Sequence, residues 1–204
     1  MTRQPHIPPA DWSPRTARDL LQLGHDSTNG VVARLLELRG ISDNLTSSFF
    51  HPSLEELHDP SEMRHMDRAV DRIMTAQRNG ECIMAYGDYD VDGATSVSLI
   101  HDFLRNNGFE VLPYIPDRYS EGYGLSSQGV QRAAESGCSI IITLDCGIRA
   151  TERVAEANAL GIDVIICDHH LPGETLPEAF AILNPKHPEC QYPFKELSGC
   201  GVAF

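Results

Sequence analysis

Apolar positions recur along the chain with two different periods, and the change of period divides it. From Thr16 to Leu23, and again from Val31 to Arg39, they return at helical spacing. In the second stretch they are Val31, Val32, Leu35, Leu36 and Leu38, and Gly40 stops the helix. The segment ISDNLTSSFFHPSLEELHDP supports a short helix among loops. Met63 to Asn79 is a longer amphipathic helix, with Met66, Ala69, Val70, Ile73, Met74 and Gln77 on one side and Gly80 as its terminator. Beyond Gly80 the period shortens. Apolar runs at 82–87, 109–115, 139–144 and 162–167, and a weaker one at 180–183, predict strands. The stretches between them, 94–106, 126–136 and 149–160, predict helices.

Strands alternating with helices of this length predict an α/β fold, a parallel sheet with helices on both faces, preceded by a small helical N-terminal region. The expected division is 1–80 for the extended and helical region and 81–204 for the sheet domain. Pro5, Pro8, Pro9 and Pro14 make the first fifteen residues an extended lead-in. There is no internal repeat and no low-complexity tract.

Composition narrows the picture. The chain has 204 residues, 41% of them hydrophobic, enough for a sizeable core. No apolar run approaches the ~20 residues of a membrane span, and MTRQPHIPPADWSP lacks the apolar stretch of a signal peptide. Six cysteines at 82, 138, 146, 167, 190 and 200 form no CxxC pair and mostly sit in apolar runs, so reduced thiols and a cytoplasmic location are expected. The net charge of −13 argues against nucleic-acid binding through a broadly basic surface. The final GCGVAF reads as the start of a buried element, so the chain is expected to be part of a longer protein.

The chemistry is concentrated at strand ends. Strand 82–87 runs into Asp88-Tyr89-Asp90-Val91-Asp92-Gly93, strand 139–144 into Asp145-Cys146-Gly147, and strand 162–167 into Asp168-His169-His170. If the chain stays extended, Asp88, Asp90 and Asp92 point to one face. Three carboxylates there repel one another unless a cation intervenes, and no Lys or Arg occurs from Cys82 to Leu104. An aspartate after a strand can instead cap the following helix, which is an open alternative for Asp92 and Asp145. Ligands bind at the carboxyl ends of parallel strands, so the three clusters together point to one crevice. Carboxylates with imidazole and no thiolate pair suit Mn²⁺ or Mg²⁺, with Zn²⁺ a lesser fit. The number of carboxylates leaves room for two ions, which could clamp a phosphoryl displacement by a water of lowered pKa. No GxGxxG, GxxxxGK[ST] or GxSxG motif is present.

GDYDVDG, DCG and DHH, in this order and at these spacings, resemble motifs I, II and III of the DHH phosphoesterase superfamily. The chain is similar above all to its single-strand-specific 5′→3′ exonuclease branch. That similarity extends to RGIS and FFHPS within 39–53, IPDRYSEGYGLS at 115–126, and LNPKHPECQYPFKELSGCGVAF at 183–204. The resemblance implies a DHH-type domain using two Mn²⁺ or Mg²⁺ ions, with Asp90, Asp92, Asp145 and His169 as metal ligands, Asp145 as the bridge, and Asp88 as a further ligand or close neighbour. It implies that His170 contacts the scissile phosphate or the leaving group, and that Asp168 holds a ring of the histidine pair. It also implies that a fourth motif and a glycine-rich substrate domain lie past Phe204, so this stretch alone should be weakly active or inactive. Tyr86 stands where many relatives have a metal-binding His, so one ion should be held more loosely.

In the 115–126 loop, Arg118 can fork two hydrogen bonds to a phosphate, and Tyr119 and Tyr123 offer faces for base stacking. The alternative is a glycine-rich turn with an Arg118–Glu121 surface ion pair. The leading expectation is metal-dependent phosphodiester hydrolysis, a single-stranded DNA exonuclease of repair and recombination. Its rivals are a phosphodiesterase of short oligonucleotides or cyclic dinucleotides, and a non-catalytic binding module on the same fold. Isolated histidines (25, 51, 58, 65 and 101) are expected on the surface or in packing.

Overall fold

The computed structural model describes residues 30–204. The chain divides into two compact units, Met1–Leu57 and His58–Phe204. The described part of the first unit contains α1 (Gly30–Leu38), α2 (Asp43–Phe50) and a 3-10 turn at Leu54–Glu56. The helix expected over Thr16–Leu23 and the proline-rich lead-in lie outside the described residues.

The second unit opens with a 3-10 turn at Pro60–Glu62. It continues through α3 (Met66–Asn79), β1 (Cys82–Gly87), α4 (Val91–Asn106), β2 (Glu110–Tyr114), α5 (Ser127–Glu135), β3 (Cys138–Leu144), α6 (Thr151–Ala159), β4 (Asp163–Cys167), β5 (Ala181–Leu183) and α7 (Gly199–Ala203). The second unit therefore includes α3, which the pattern grouped with the N-terminal region. The reason is packing: α3 buries Ala69 and Ala76 in the same cluster as Ile83, Ile140 and Ile165 of the sheet.

All five strands are parallel, in the order β2-β1-β3-β4-β5. Side chains alternate across them, so each strand feeds two cores. Ile83, Ala85, Ile140, Ile142 and Ile165 face α3, α4 and α7 through Ala76, Val97, Leu104 and Val202. Met84, Tyr86, Ile141, Val164 and Ile166 face α5 and α6 through Val130, Ala133, Val154 and Ala157. Most are fully buried, and each Ile or Val contributes about 1.5–3 kcal/mol of transfer free energy. Covering both faces is why the strands read as continuous apolar runs rather than as alternation.

One irregularity lies at the amino ends of the strands. Cys82 pairs with Cys138, yet Ile83 pairs with Ile140, so Ser139 is an extra residue in β3. The bulge places both thiols on the α5/α6 side, with the sulfurs 3.0 Å apart. All six cysteines are free. No described helix is long and apolar enough to cross a membrane.

The strand order reverses between β1 and β3, because β2 lies outside β1 while β4 and β5 continue beyond β3. This switch point opens a crevice past the carboxyl ends of the strands, where the three polar clusters begin.

Candidate metal centre

The sheet delivers the acids, and the turns after it aim them. The extended chain stops at Gly87, so Asp88, Asp90 and Asp92 do not share one strand face. Asp88 follows directly on β1, its amide donating to the Leu144 carbonyl, and is 2% exposed. Asp90 is the N-cap of α4, its carboxylate accepting from the Gly93 amide at 3.0 Å. Asp92 lies inside the first turn of that helix, which therefore starts at Val91 rather than at the expected 94. Gly93 permits the tight turn, since a Cβ there would sit 2.4 Å from the Asp88 carbonyl oxygen.

Asp145 follows β3 with φ +63°, the left-handed region that Asp tolerates better than most residues. It is 2% exposed. Burial, and after it the charges of Asp92 and Asp90, push its carboxyl up to about 7. Asp88 is raised for the same reasons, burial first and Asp90 second among the causes that act upward. Asp88 Oδ1 and Asp145 Oδ1 are both buried with no hydrogen-bond partner.

The histidine pair completes the arrangement. His169 Nδ1 lies 2.9 Å from the Leu197 carbonyl oxygen, which only accepts, so Nδ1 carries the proton. In the neutral ring Nε2 then presents a lone pair, and it lies 3.1 Å from Asp145 Oδ1. A lone pair and a carboxylate oxygen this close attract only if a proton or a metal cation is shared between them. His170 is fixed differently. Its Nδ1 donates to Asp168 Oδ1 at 2.7 Å, and the same oxygen accepts from the His169 and His170 amides. Asp168 Oδ2 accepts from the Ile148 amide at 2.9 Å. Asp168 thus ties the β4 end to the loop after β3 and orients the His170 ring.

Two groups of candidate ligands result, Asp145 with His169 and His170, and Asp88 with Asp90 and Asp145. Within each group the ligand atoms lie within 4.8 Å of one another. Asp145 belongs to both. Orphaned buried carboxylate oxygens, a raised carboxyl and an unprotonated imidazole nitrogen are what a divalent cation would satisfy, so these residues fit one.

Asp92 is placed otherwise. Its two oxygens accept from the Gly199 amide at 2.6 Å and the Cys200 amide at 2.8 Å, and Oδ2 is 4.0 Å from His169 Nε2. It caps α7, a helix more than a hundred residues away, rather than its own. The strap Leu197–Cys200 thereby touches three of the expected ligands: Leu197 holds His169, Gly199 and Cys200 hold Asp92, and Gly199 abuts Asp145. A Cβ on Gly199 would fall 2.3 Å from Asp145 Oδ1. Neither periodicity nor charge pattern marks this strap. Its only signal was the GCG in the stretch that carried the resemblance.

Tyr86 does not reach the centre. It is fully buried on the α5/α6 face, its hydroxyl donating to the Gly124 carbonyl at 2.7 Å and accepting from the Ser126 amide at 3.2 Å. Its ring stacks on Tyr114, and burial raises its pKa. The position expected to hold an ion loosely is instead a packing post under the 124–126 loop. Gly129 is required beside it, because a Cβ there would meet the ring at 2.4 Å.

Of the expected substrate residues, Arg118 lies over the Tyr89 ring at 5.1 Å. The Arg118–Glu121 ion pair is absent among the described residues. Glu121 instead accepts from Tyr114 Oη, the Asp117 amide and Ser126 Oγ. Tyr123 packs edge-on against both Tyr89 and His170. Tyr119 is 95% exposed and makes no ring contact among the described residues. Tyr89 was missed in the sequence because it sits between two acids and reads as a spacer.

The fold and site define a parallel α/β domain with a candidate divalent-cation centre at its switch point. Comparison with known proteins makes that specific. The DHH family, N-terminal domain, matches residues 82–204. The chain belongs to the DHH family. It is 49% identical over 176 residues to the single-stranded-DNA-specific exonuclease RecJ of Bacillus subtilis, covering 85% of this chain and 22% of that protein. To RecJ of Escherichia coli it is 44% identical, covering 85% of this chain and 30% of that one. Its fold matches a crystal structure of exonuclease RecJ bound to manganese, with a TM-score of 0.64, 32% identity, and 72% and 37% of the two chains covered. RecJ from Thermus thermophilus in complex with Mn²⁺ gives a TM-score of 0.65 at 28% identity, over 97% of this chain and 26% of that one. The chain therefore spans less than a third of the curated relatives named here.

Proposed function

We propose that this chain carries the metal-binding half of a single-stranded-DNA exonuclease. The observation that carries the reading is the shared Asp145, buried, with one oxygen that no hydrogen bond satisfies, and raised to about 7 between two groups of oxygen and imidazole ligands. The relatives named as single-stranded-DNA-specific exonucleases, and the RecJ structures holding manganese, support it.

In this reading two Mn²⁺ or Mg²⁺ ions would be held, with Asp88, Asp90 and Asp145 as candidate ligands for one and Asp145 and His169 for the other. When bound, such ions supply Lewis acidity to the phosphoryl oxygens and lower the pKa of a water nucleophile. The chain's own residues do the rest. Asp92 joins the ligands from the rim while anchoring the strap behind them. His170, held by Asp168, presents Nε2 to the scissile phosphate or the departing oxygen. Arg118 binds a phosphate of the strand, with its guanidinium plane supported on Tyr89. Tyr123 offers a stacking face next to His170, and Tyr119, exposed on the same loop, offers a second. The remaining length of the relatives supports a reading in which further domains of the same protein close over the strand.

Hydrolysis of single-stranded DNA by the whole protein, with Mn²⁺ present, tests this. Asp145→Ala should reduce kcat by about a thousandfold or more while the far-UV spectrum is unchanged. Retained hydrolysis would remove Asp145 from the mechanism. Equal rates on a long single strand and on a dinucleotide would favour an oligonucleotide phosphodiesterase instead.

A further inference from the structure

Past His170 the surface opens into a cavity of about 720 Å³ that borders the candidate centre through Asp168, His169 and His170 and extends beyond it. Its walls include Tyr123 and His170 on one side, Arg149 and Ile148 from the loop before α6, and Leu171 and Lys186. The volume is in the ordinary range for a small-molecule or nucleotide site, roughly 300–1,000 Å³. Away from the centre its wall carries Arg149, Arg153 and Lys186 against one acid, Glu152, a basic cluster in a chain of net charge −13.

The basic groups are not equally available. Arg153, also on the wall, is committed to Glu152 and Glu156. Lys186 pairs with Glu196 at 3.4 Å, and that partner is largely exposed. Arg149 has no carboxylate within ion-pair distance among the described residues. Its Nε donates to the Leu171 carbonyl at 2.9 Å, which pins the guanidinium at the cavity rim and leaves both terminal nitrogens without an acceptor. A pinned guanidinium with two open N–H groups is the geometry that accepts a phosphate bidentately. α6 begins on the same wall, and its N-cap, Ala150, supplies no side-chain cap. Leu171 is 64% exposed beside Arg149, and Tyr123 borders both the cavity and His170. Phosphate donor, apolar surface and aromatic face are the three contacts one nucleotide needs.

We propose that this cavity seats one nucleotide unit of the DNA strand adjacent to the scissile phosphate, with Arg149 holding that unit's own phosphate. The assignment rests on the exonuclease reading for the strand's identity. It is separate from Arg118, which is not on the cavity wall and is reached from it only through Tyr123 and Tyr89.

The test is titration of the metal-free whole protein with thymidine 5′-monophosphate and with thymidine. The monophosphate should bind about tenfold or more tightly than the nucleoside. Arg149→Ala should weaken the monophosphate by about tenfold or more and Arg149→Lys by less, since lysine keeps the charge and loses the fork. Manganese affinity, measured calorimetrically, should stay within about twofold, because Arg149 touches none of the candidate ligands. Leu171→Glu, a surface change that sets a carboxylate beside Arg149, should weaken the monophosphate by a similar factor and serves if Arg149→Ala fails to fold. Unchanged monophosphate affinity in Arg149→Ala or Leu171→Glu, or loss only in Arg118→Ala, would overturn the assignment. Monophosphate binding through Arg149 without any Mn²⁺-dependent DNA cleavage would sink the exonuclease reading and leave the nucleotide site standing. Cleavage with unchanged monophosphate binding in the variants would do the reverse.

Discussion

The two ends of the same sheet treat their acids in opposite ways. At the amino end, Arg72 of α3 reaches across to Glu81 at 2.7 Å and Asp163 at 2.6 Å, and Cys82 faces Cys138. The acids there are neutralised by a side chain of the protein. At the carboxyl end Asp88 and Asp145 are more deeply buried, yet no Lys or Arg pairs with either among the described residues, and each keeps an orphaned oxygen. A fold that supplies a cation to one end and withholds it from the other leaves the second end to a ligand. Buried carboxylates otherwise cost several kcal/mol each.

Removing the ligand end's key charge should have the largest effect. Asp145→Asn keeps the left-handed backbone and the volume, and should lower manganese affinity by about a hundredfold or more. It should also raise the melting temperature of the metal-free protein, since a buried charge is gone. A variant that binds manganese normally, or melts lower without metal, would show that the carboxyl end is satisfied by the protein itself.

Gly199→Ala tests the strap. Its methyl would press on Asp145 Oδ1, so manganese affinity should fall about tenfold and stability by about 1–3 kcal/mol. Ser198→Ala removes only the hydroxyl that accepts from the Gly201 amide. It should cost about 1 kcal/mol and leave affinity unchanged. Equal affinity in both variants would mean that the strap does not set the ligand geometry.

Arg72→Met addresses the other end. Glu81 and Asp163 would lose their partner, at a cost of about 1–2 kcal/mol given their partial exposure, read by urea denaturation. Manganese binding should be unaffected. A drop in affinity would show the two ends to be coupled through the sheet.

The last test concerns pH. Asp145 has its folded pKa raised from 3.8 to about 7, so the folded state binds more protons than the unfolded state across that interval. Metal-free stability from this group is therefore full below about 4 and falls as pH rises toward about 7. Manganese binding needs the carboxylate and should strengthen over the same interval. Thermal melts at pH 5 and pH 8 should favour the lower pH without metal, and the advantage should shrink or invert with Mn²⁺. The same ordering with and without metal would contradict the placement of Asp145.

The strands were readable because β1, β3 and β4 are buried on both faces and leave unbroken apolar runs. Observed and expected limits differ by at most a residue at either end, as with Glu110–Tyr114 against 109–115. The parallel arrangement and the meeting of the three strand-end clusters followed from that alternation. What was hidden depends on contacts distant in sequence. Asp90 and Asp92 both cap helices; Asp90 caps its own through the nearby Gly93 amide, whereas the helix that Asp92 caps is decided by where Gly199 arrives. Tyr86 reads as one more strand residue, and only the pairing of β1 with its neighbours shows that it faces α5. Ser139 leaves no mark, because a single extra residue does not disturb an apolar run. That α3 packs on the sheet was hidden because it has the same helical period whether it packs there or elsewhere.

The proposed function requires divalent cations that share Asp145 to complete the carboxyl end of the sheet. Anomalous diffraction from a crystal soaked in Mn²⁺ tests it most directly. The prediction is two peaks, one among Asp88, Asp90 and Asp145 and the other between Asp145 and the histidine pair. A fully soaked crystal with no peak within coordination distance of Asp145 would contradict it.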